Sequence, residues 1–165
     1  MRRLIAEYEQ FLRAAVLGLA GVSGLSVLAM TALTVADVLL RKTPWAFAGA
    51  YDLVKILGAI AISAALPYTT AVKGHVAIEF FYHKLGRTGR LILDVFLRVL
   101  SIGLLCLAVR ECVRYGQMLH RTGQVSQTLQ MPIFWLPYFF AGCLILMILV
   151  KLYHMTHPGK VLLKP

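Results

Sequence analysis

Residues 37–55 read D-V-L-L-R-K-T-P-W-A-F-A-G-A-Y-D-L-V-K, and residues 56–72 that follow carry no charge at all before K-G-H-V-A-I-E closes the run at 73–79. A charge-free apolar stretch bounded at both ends by compact groups of charged, aromatic and turn-forming residues is the signature of a membrane-crossing helix with two specified boundaries. At the first boundary Asp37 and Arg41 stand four apart, which places opposite charges on one helix face. Lys42, Thr43, Pro44 and Trp45 then stop that helix, because Pro44 drives Thr43 out of the α region. At the second boundary Gly74 breaks the helix and His75 follows at the water interface.

The rest of the chain has the same character. Hydrophobic residues make up 59% of 165, charged residues 15%, and mean hydropathy is +0.76, which excludes a soluble domain of ordinary composition. A net charge of +10 would suit a nucleic-acid partner, but the cations sit at helix ends and form no basic stripe with interleaved aromatics. They read as topology signals. Cys106, Cys112 and Cys143 lie in or beside apolar runs without Cys-x-x-Cys spacing, so they are read as small apolar residues.

The expectation is an all-α membrane protein with four transmembrane helices and two interfacial amphipathic helices, in a single membrane domain over residues 1–165. Residues 2–13 form the first interfacial helix, with Leu4, Ile5, Tyr8, Phe11 and Leu12 on one face, leading straight into a span at 14–40. Small residues Ala14, Gly18, Ala20, Gly21 and Gly24 on that span offer either a face for close helix approach or glycine merely tolerated in lipid. The second span is 51–72, with Asp52 suited to the helix dipole in its first turn and Pro67 expected to bend its far end. Ile78, Phe81, Tyr82 and Leu85 mark the second interfacial helix, 76–85. The third span, 90–117, is the most polar, and pairs Asp94 with Arg98 and Glu111 with Arg114. After a polar connection the fourth span covers 132–154, with Pro132 in its first turn and Trp135, Tyr138 and Phe139 as an aromatic belt.

Lysine and arginine counting sets the expected orientation. Ten lie on the side of both termini and the Lys73 to Arg90 connection, and six lie on the other, so the termini are assigned to the cytoplasm. Catalytic chemistry finds no support in these residues. His75, His83, His120, His154 and His157 fall at interfaces or in loops, where they cannot face one another across a haem, and no H-E-x-x-H or phosphate-binding glycine loop is present. Neither an enzyme nor a resident cofactor or metal is expected. The rival readings are a membrane anchor of a respiratory oxidoreductase, which an absorbance spectrum would reveal, and a small homodimeric drug exporter, which transport by the chain alone would reveal.

The order of these marks resembles the small membrane subunit, the DctQ-like component, of tripartite ATP-independent periplasmic (TRAP) transporters. The resemblance rests on Arg41 after the first span, Pro44, G-A-Y-D-L-V-K at 49–55, G-H-V-A-I-E at 74–79, Gly116, S-Q-T-L at 126–129, and Pro132 with Trp135. Asp52 and Glu79 stand where the family more often has Glu and Asp, so charge is kept. It implies a non-catalytic subunit in a bacterial inner membrane, sodium-coupled transport of organic acids by a large elevator-type partner subunit, and a periplasmic substrate-binding protein. Membrane lipids would be further partners, and nucleic acid would not. Partner-interface candidates are Asp37, Arg41, Trp45, Tyr51 and Asp52 on the outward face. His75 and Glu79 are further candidates, as polar contacts to the second interfacial helix or the large subunit.

Overall fold

The computed structural model describes residues 2–41, 49–72 and 87–156, in four α-helices. Helix α1 is Arg2–Leu40, α2 is Ala50–Ala71, α3 is Arg87–Thr122 and α4 is Trp135–Thr156. The second interfacial helix expected at 76–85 lies outside the described residues, as do Trp45, His75, Glu79 and the end of the basic tail. So do the side chains of Asp94 and Arg98.

Among the described residues, three stretches are long and apolar enough to cross a membrane: Glu7–Leu40, Ala50–Ala71 and Trp135–Tyr153. Several of their hydroxyls are bonded inside their own helix. Ser26 donates to the Val22 carbonyl, Thr31 to Val27, Thr34 to Met30, Ser63 to Ala59 and Thr70 to Leu66, so polar side chains enter an apolar medium already bonded. Pro67 is buried inside α2, and the Ser63 hydroxyl satisfies Ala59 rather than the carbonyl that Pro67 leaves without its donor.

Residues 2–13 begin the same unbroken helix that continues to Leu40. Their apolar face divides. Leu12 is fully buried, whereas its neighbour Phe11 is 66% exposed, because consecutive residues on a helix point about 100° apart and the bundle covers one of the two directions.

The helices form a row. α1 packs antiparallel along α2, α2 runs parallel along α4, and α4 packs antiparallel along α3, with a slighter contact between α1 and α4 at one end. That end is apolar: Leu12 and Val16 of α1, Ala71 of α2, and Val150 and Tyr153 of α4 form a buried cluster. Along the α1–α2 seam the Ser23 hydroxyl donates to the Ala61 carbonyl at 2.8 Å, a polar tie between helices in a medium where apolar contact alone distinguishes little between protein and lipid. Gly18, Gly21 and Gly24 do not serve that seam. A Cβ added at any of them would meet nothing within 4 Å.

α3 is covered along one edge. Gly116 and Leu119 are buried, while Phe96, Val99, Leu104 and Leu107 are each more than half exposed. Its close approach to α4 depends on Gly116, where an added Cβ would come within 2.9 Å of Tyr138 Cζ.

Candidate functional site

The chain between α3 and α4 is a built hairpin rather than a loose connection. At the end of α3, Gly123 takes φ +61°, and its N–H bonds the His120 carbonyl while the Gln124 N–H bonds that of Leu119. Those two bonds are the Schellman termination, and the left-handed residue it requires is why glycine stands there. The chain then pairs with itself: Val125 bridges Pro132, the Ser126 N–H donates to the Met131 carbonyl at 2.9 Å, and the Met131 N–H donates back to Ser126 Oγ at 3.3 Å. Gln130 closes the tip at φ 52°. Pro132 therefore belongs to the hairpin and not to the first turn of the helix, which starts at Trp135. Pro137 occupies that turn, where a missing N–H costs nothing. An edge-on contact between the His120 and Phe134 rings, 4.8 Å between centroids, closes the base.

The hairpin tip is tied to the start of α2 by one carboxylate. Asp52 Oδ2 accepts the N–H of Thr128 at 2.7 Å and that of Leu129 at 2.9 Å, and the residue is 2% exposed. Two backbone donors converging on one ionised oxygen make strong, directional bonds and supply what a buried carboxylate needs in place of water. Gly49 completes the joint. It precedes α2, is buried, and a Cβ there would lie 2.7 Å from Leu129 Cδ2, so the absence of a side chain lets Leu129 settle over the helix start. The G-A-Y-D and S-Q-T-L segments are thus two halves of one contact. The sequence marks both segments without pairing them, because the donors are backbone N–H groups 76 and 77 residues away.

The other expected site residues divide. Asp37 and Arg41 form the expected pair at the end of α1, with Arg41 Nη2 at 2.8 Å and Nε at 2.9 Å from the same oxygen, Asp37 Oδ2. Arg41 is exposed and Asp37 largely covered. Tyr51 is 60% exposed and carries the Lys55 ammonium 4.2 Å from its ring centroid. Because α1 and α2 run antiparallel, the Asp37–Arg41 pair lies at the same end of the row as the Asp52 joint. Glu111 and Arg114 also pair as expected, at 3.4 Å, both exposed.

Four helices in a row, three of them long and apolar enough to cross a membrane, held at one end by a polar joint, define a polytopic helical membrane protein. Residues 30–157 match the family model described as tripartite ATP-independent periplasmic transporters, DctQ component, and the chain belongs to that family. It is a transporter component and not an enzyme. No curated protein and no solved structure matches the chain.

Proposed function

We propose that this chain is the small permease subunit of a sodium-coupled TRAP transporter for organic acids, sitting in the bacterial inner membrane with both termini in the cytoplasm. It scaffolds the large elevator subunit and helps the periplasmic substrate-binding protein to dock. The observation that carries this reading is the open row of helices. A chain that buried its apolar surface in itself would close into a bundle, whereas this row leaves the Gly18, Gly21 and Gly24 face of α1 and much of α3 without a partner among the described residues. A wide plate of that kind suits a fixed support beside which another subunit slides.

In this reading α3 is the fourth span, with its charge-free stretch 99–109 as the middle of the crossing. At ~1.5 Å per residue, the 36 residues of α3 extend for about 54 Å, enough to cross a hydrocarbon core and carry Arg110, Glu111 and Arg114 beyond it. Residues 2–13 and 76–85 lie at the cytoplasmic interface, where His75 and Glu79 make polar contacts to the second interfacial helix or the large subunit. Asp37, Arg41, Trp45 and Tyr51 border the docking face, and Asp52 acts on that face indirectly by holding the hairpin.

Affinity purification of the chain from native membranes tests the assignment. A large polytopic protein is expected to accompany it in fixed ratio, and uptake in proteoliposomes is expected to require both with the soluble binding protein and a sodium gradient. Uptake by this chain alone would overturn the proposal.

A further inference from the structure

Beside the Asp52 joint lies an open cleft of about 470 Å³, formed between the first turns of α2, the hairpin and the start of α4. Its lining is mixed. Ile56, Val125, Ile133 and Leu136 supply apolar surface, while Lys55, Gln124 and Gln127 are exposed polar side chains. Asp52 contributes a carboxylate, but that carboxylate is covered and directed at the Thr128 and Leu129 amides. Lys55 is different. Among the described residues no carboxylate lies within ion-pair distance of it, and its recorded contact is the Tyr51 ring.

We infer that this cleft binds one glycerophospholipid, with the phosphate at Lys55 and the side-chain amides of Gln124 and Gln127, and an acyl chain against Ile56, Ile133 and Leu136. Three features favour an amphiphile. A lining that combines four apolar side chains with a cation and two amides matches a molecule with a charged head and a hydrocarbon tail. The cleft is open, so a long tail can leave it for the bilayer, and its volume suits a head group and the first few carbons, since small-molecule sites run to ~300–1,000 Å³. The third is position: Lys55 is in the second turn of a helix apolar enough to cross a membrane, at the depth where a lysine extends its ammonium toward lipid phosphates. A lipid seated there would wedge between α2 and the hairpin and become part of the outward face.

Lipid-stripped protein in detergent, titrated with phosphatidylglycerol and followed by native mass spectrometry, tests the assignment. One lipid per chain is expected to be retained. Lys55→Gln is expected to weaken its binding roughly fivefold, the scale of one basic residue near an anionic surface. Lys55→Arg should restore affinity, and Arg121→Gln, an exposed cation at the same end, should leave it unchanged. Lys55 and Arg121 are both exposed, so these variants are expected to fold. Diacylglycerol, which lacks the phosphate, and inorganic phosphate alone are expected to bind at least fivefold more weakly than phosphatidylglycerol. Equal affinity of Lys55→Gln and the parent chain would overturn the site, as would equal binding of diacylglycerol. Displacement of the lipid by equimolar inorganic phosphate would make this a free-anion site instead. Protection of a Gln127→Cys thiol by the soluble binding protein, with phosphatidylglycerol giving none, would assign the cleft to a protein partner and reject the lipid.

Discussion

The two ends of the helix row are held together by different physics. At the terminal end, Leu12, Val16, Ala71, Val150 and Tyr153 form an apolar cluster. At the other, one carboxylate, two backbone amides and a glycine fix a hairpin over a helix start. In a bilayer this difference matters more than in water. Lipid tails compete with apolar side chains on nearly equal terms, so the cluster gains from close packing without much help from water exclusion. A misplaced N–H or carboxylate has no comparable substitute in hydrocarbon, and register is therefore set more sharply at the polar end.

The largest expected effect comes from removing the acceptor. Asp52→Ala leaves the Thr128 and Leu129 amides without their partner, and amide exchange at these two positions is expected to quicken by at least on the order of tenfold. Protection at Val16 and Val150, at the opposite end, should stay as it was. Asp52→Asn keeps an acceptor oxygen without the charge and should fall between the two. Uniform loss of protection along the chain would mean that the joint supports the whole fold rather than the hairpin alone.

Gly116→Leu tests the seam between α3 and α4. Its Cβ would sit within 2.9 Å of Tyr138 Cζ, and ring and helix must part. Overpacking of this kind costs about 1–3 kcal/mol, readable as earlier unfolding in a detergent–SDS titration. A cysteine pair across α3 and α4 near this level should lose its cross-linking as well.

Leu12→Ala should cost less than a comparable substitution in a soluble core. Buried Leu→Ala in water costs ~2–5 kcal/mol, part of which is transfer free energy that a bilayer largely removes, leaving about 1–2 kcal/mol from lost packing. Equal costs for Leu12→Ala and Gly116→Leu in the same titration would still fit; a cost near 5 kcal/mol would mean that this end excludes water as a soluble core does.

The described helices were largely legible because their signals are local. Charge-free length, the Asp37–Arg41 spacing and the Glu111–Arg114 spacing are each read from nearby residues. The Asp52 joint was not legible as a joint, since its partners are 76 and 77 residues away and donate through backbone N–H groups that no residue type announces. The fourth helix starts three residues later than proline preference suggests, because Pro132 is taken by the bridge to Val125 and Pro137 can fill the helical role. Likewise the Leu4-to-Leu12 face appears uniform in sequence, yet the bundle covers Leu12 and leaves Phe11 outside.

The smallest structural effect is expected at Arg41, and it separates holding from docking. The guanidinium is 71% exposed and shares one oxygen of Asp37 through two nitrogens, in the geometry of a surface pair spaced by one helical turn. Such pairs contribute about 0.5 kcal/mol or less, so Arg41→Ala should leave the unfolding titration almost unmoved and the large subunit still co-purifying. If Arg41 borders the docking face, its loss should nonetheless slow uptake when the soluble binding protein is limiting. Rim charges act on association rate, so raising that protein's concentration should restore much of the rate, and higher salt should shrink the difference between variant and parent. A rate defect that persists at saturating binding protein, with the complex intact, would move Arg41 from docking to the transport cycle. Loss of the large subunit on purification would move it to subunit packing.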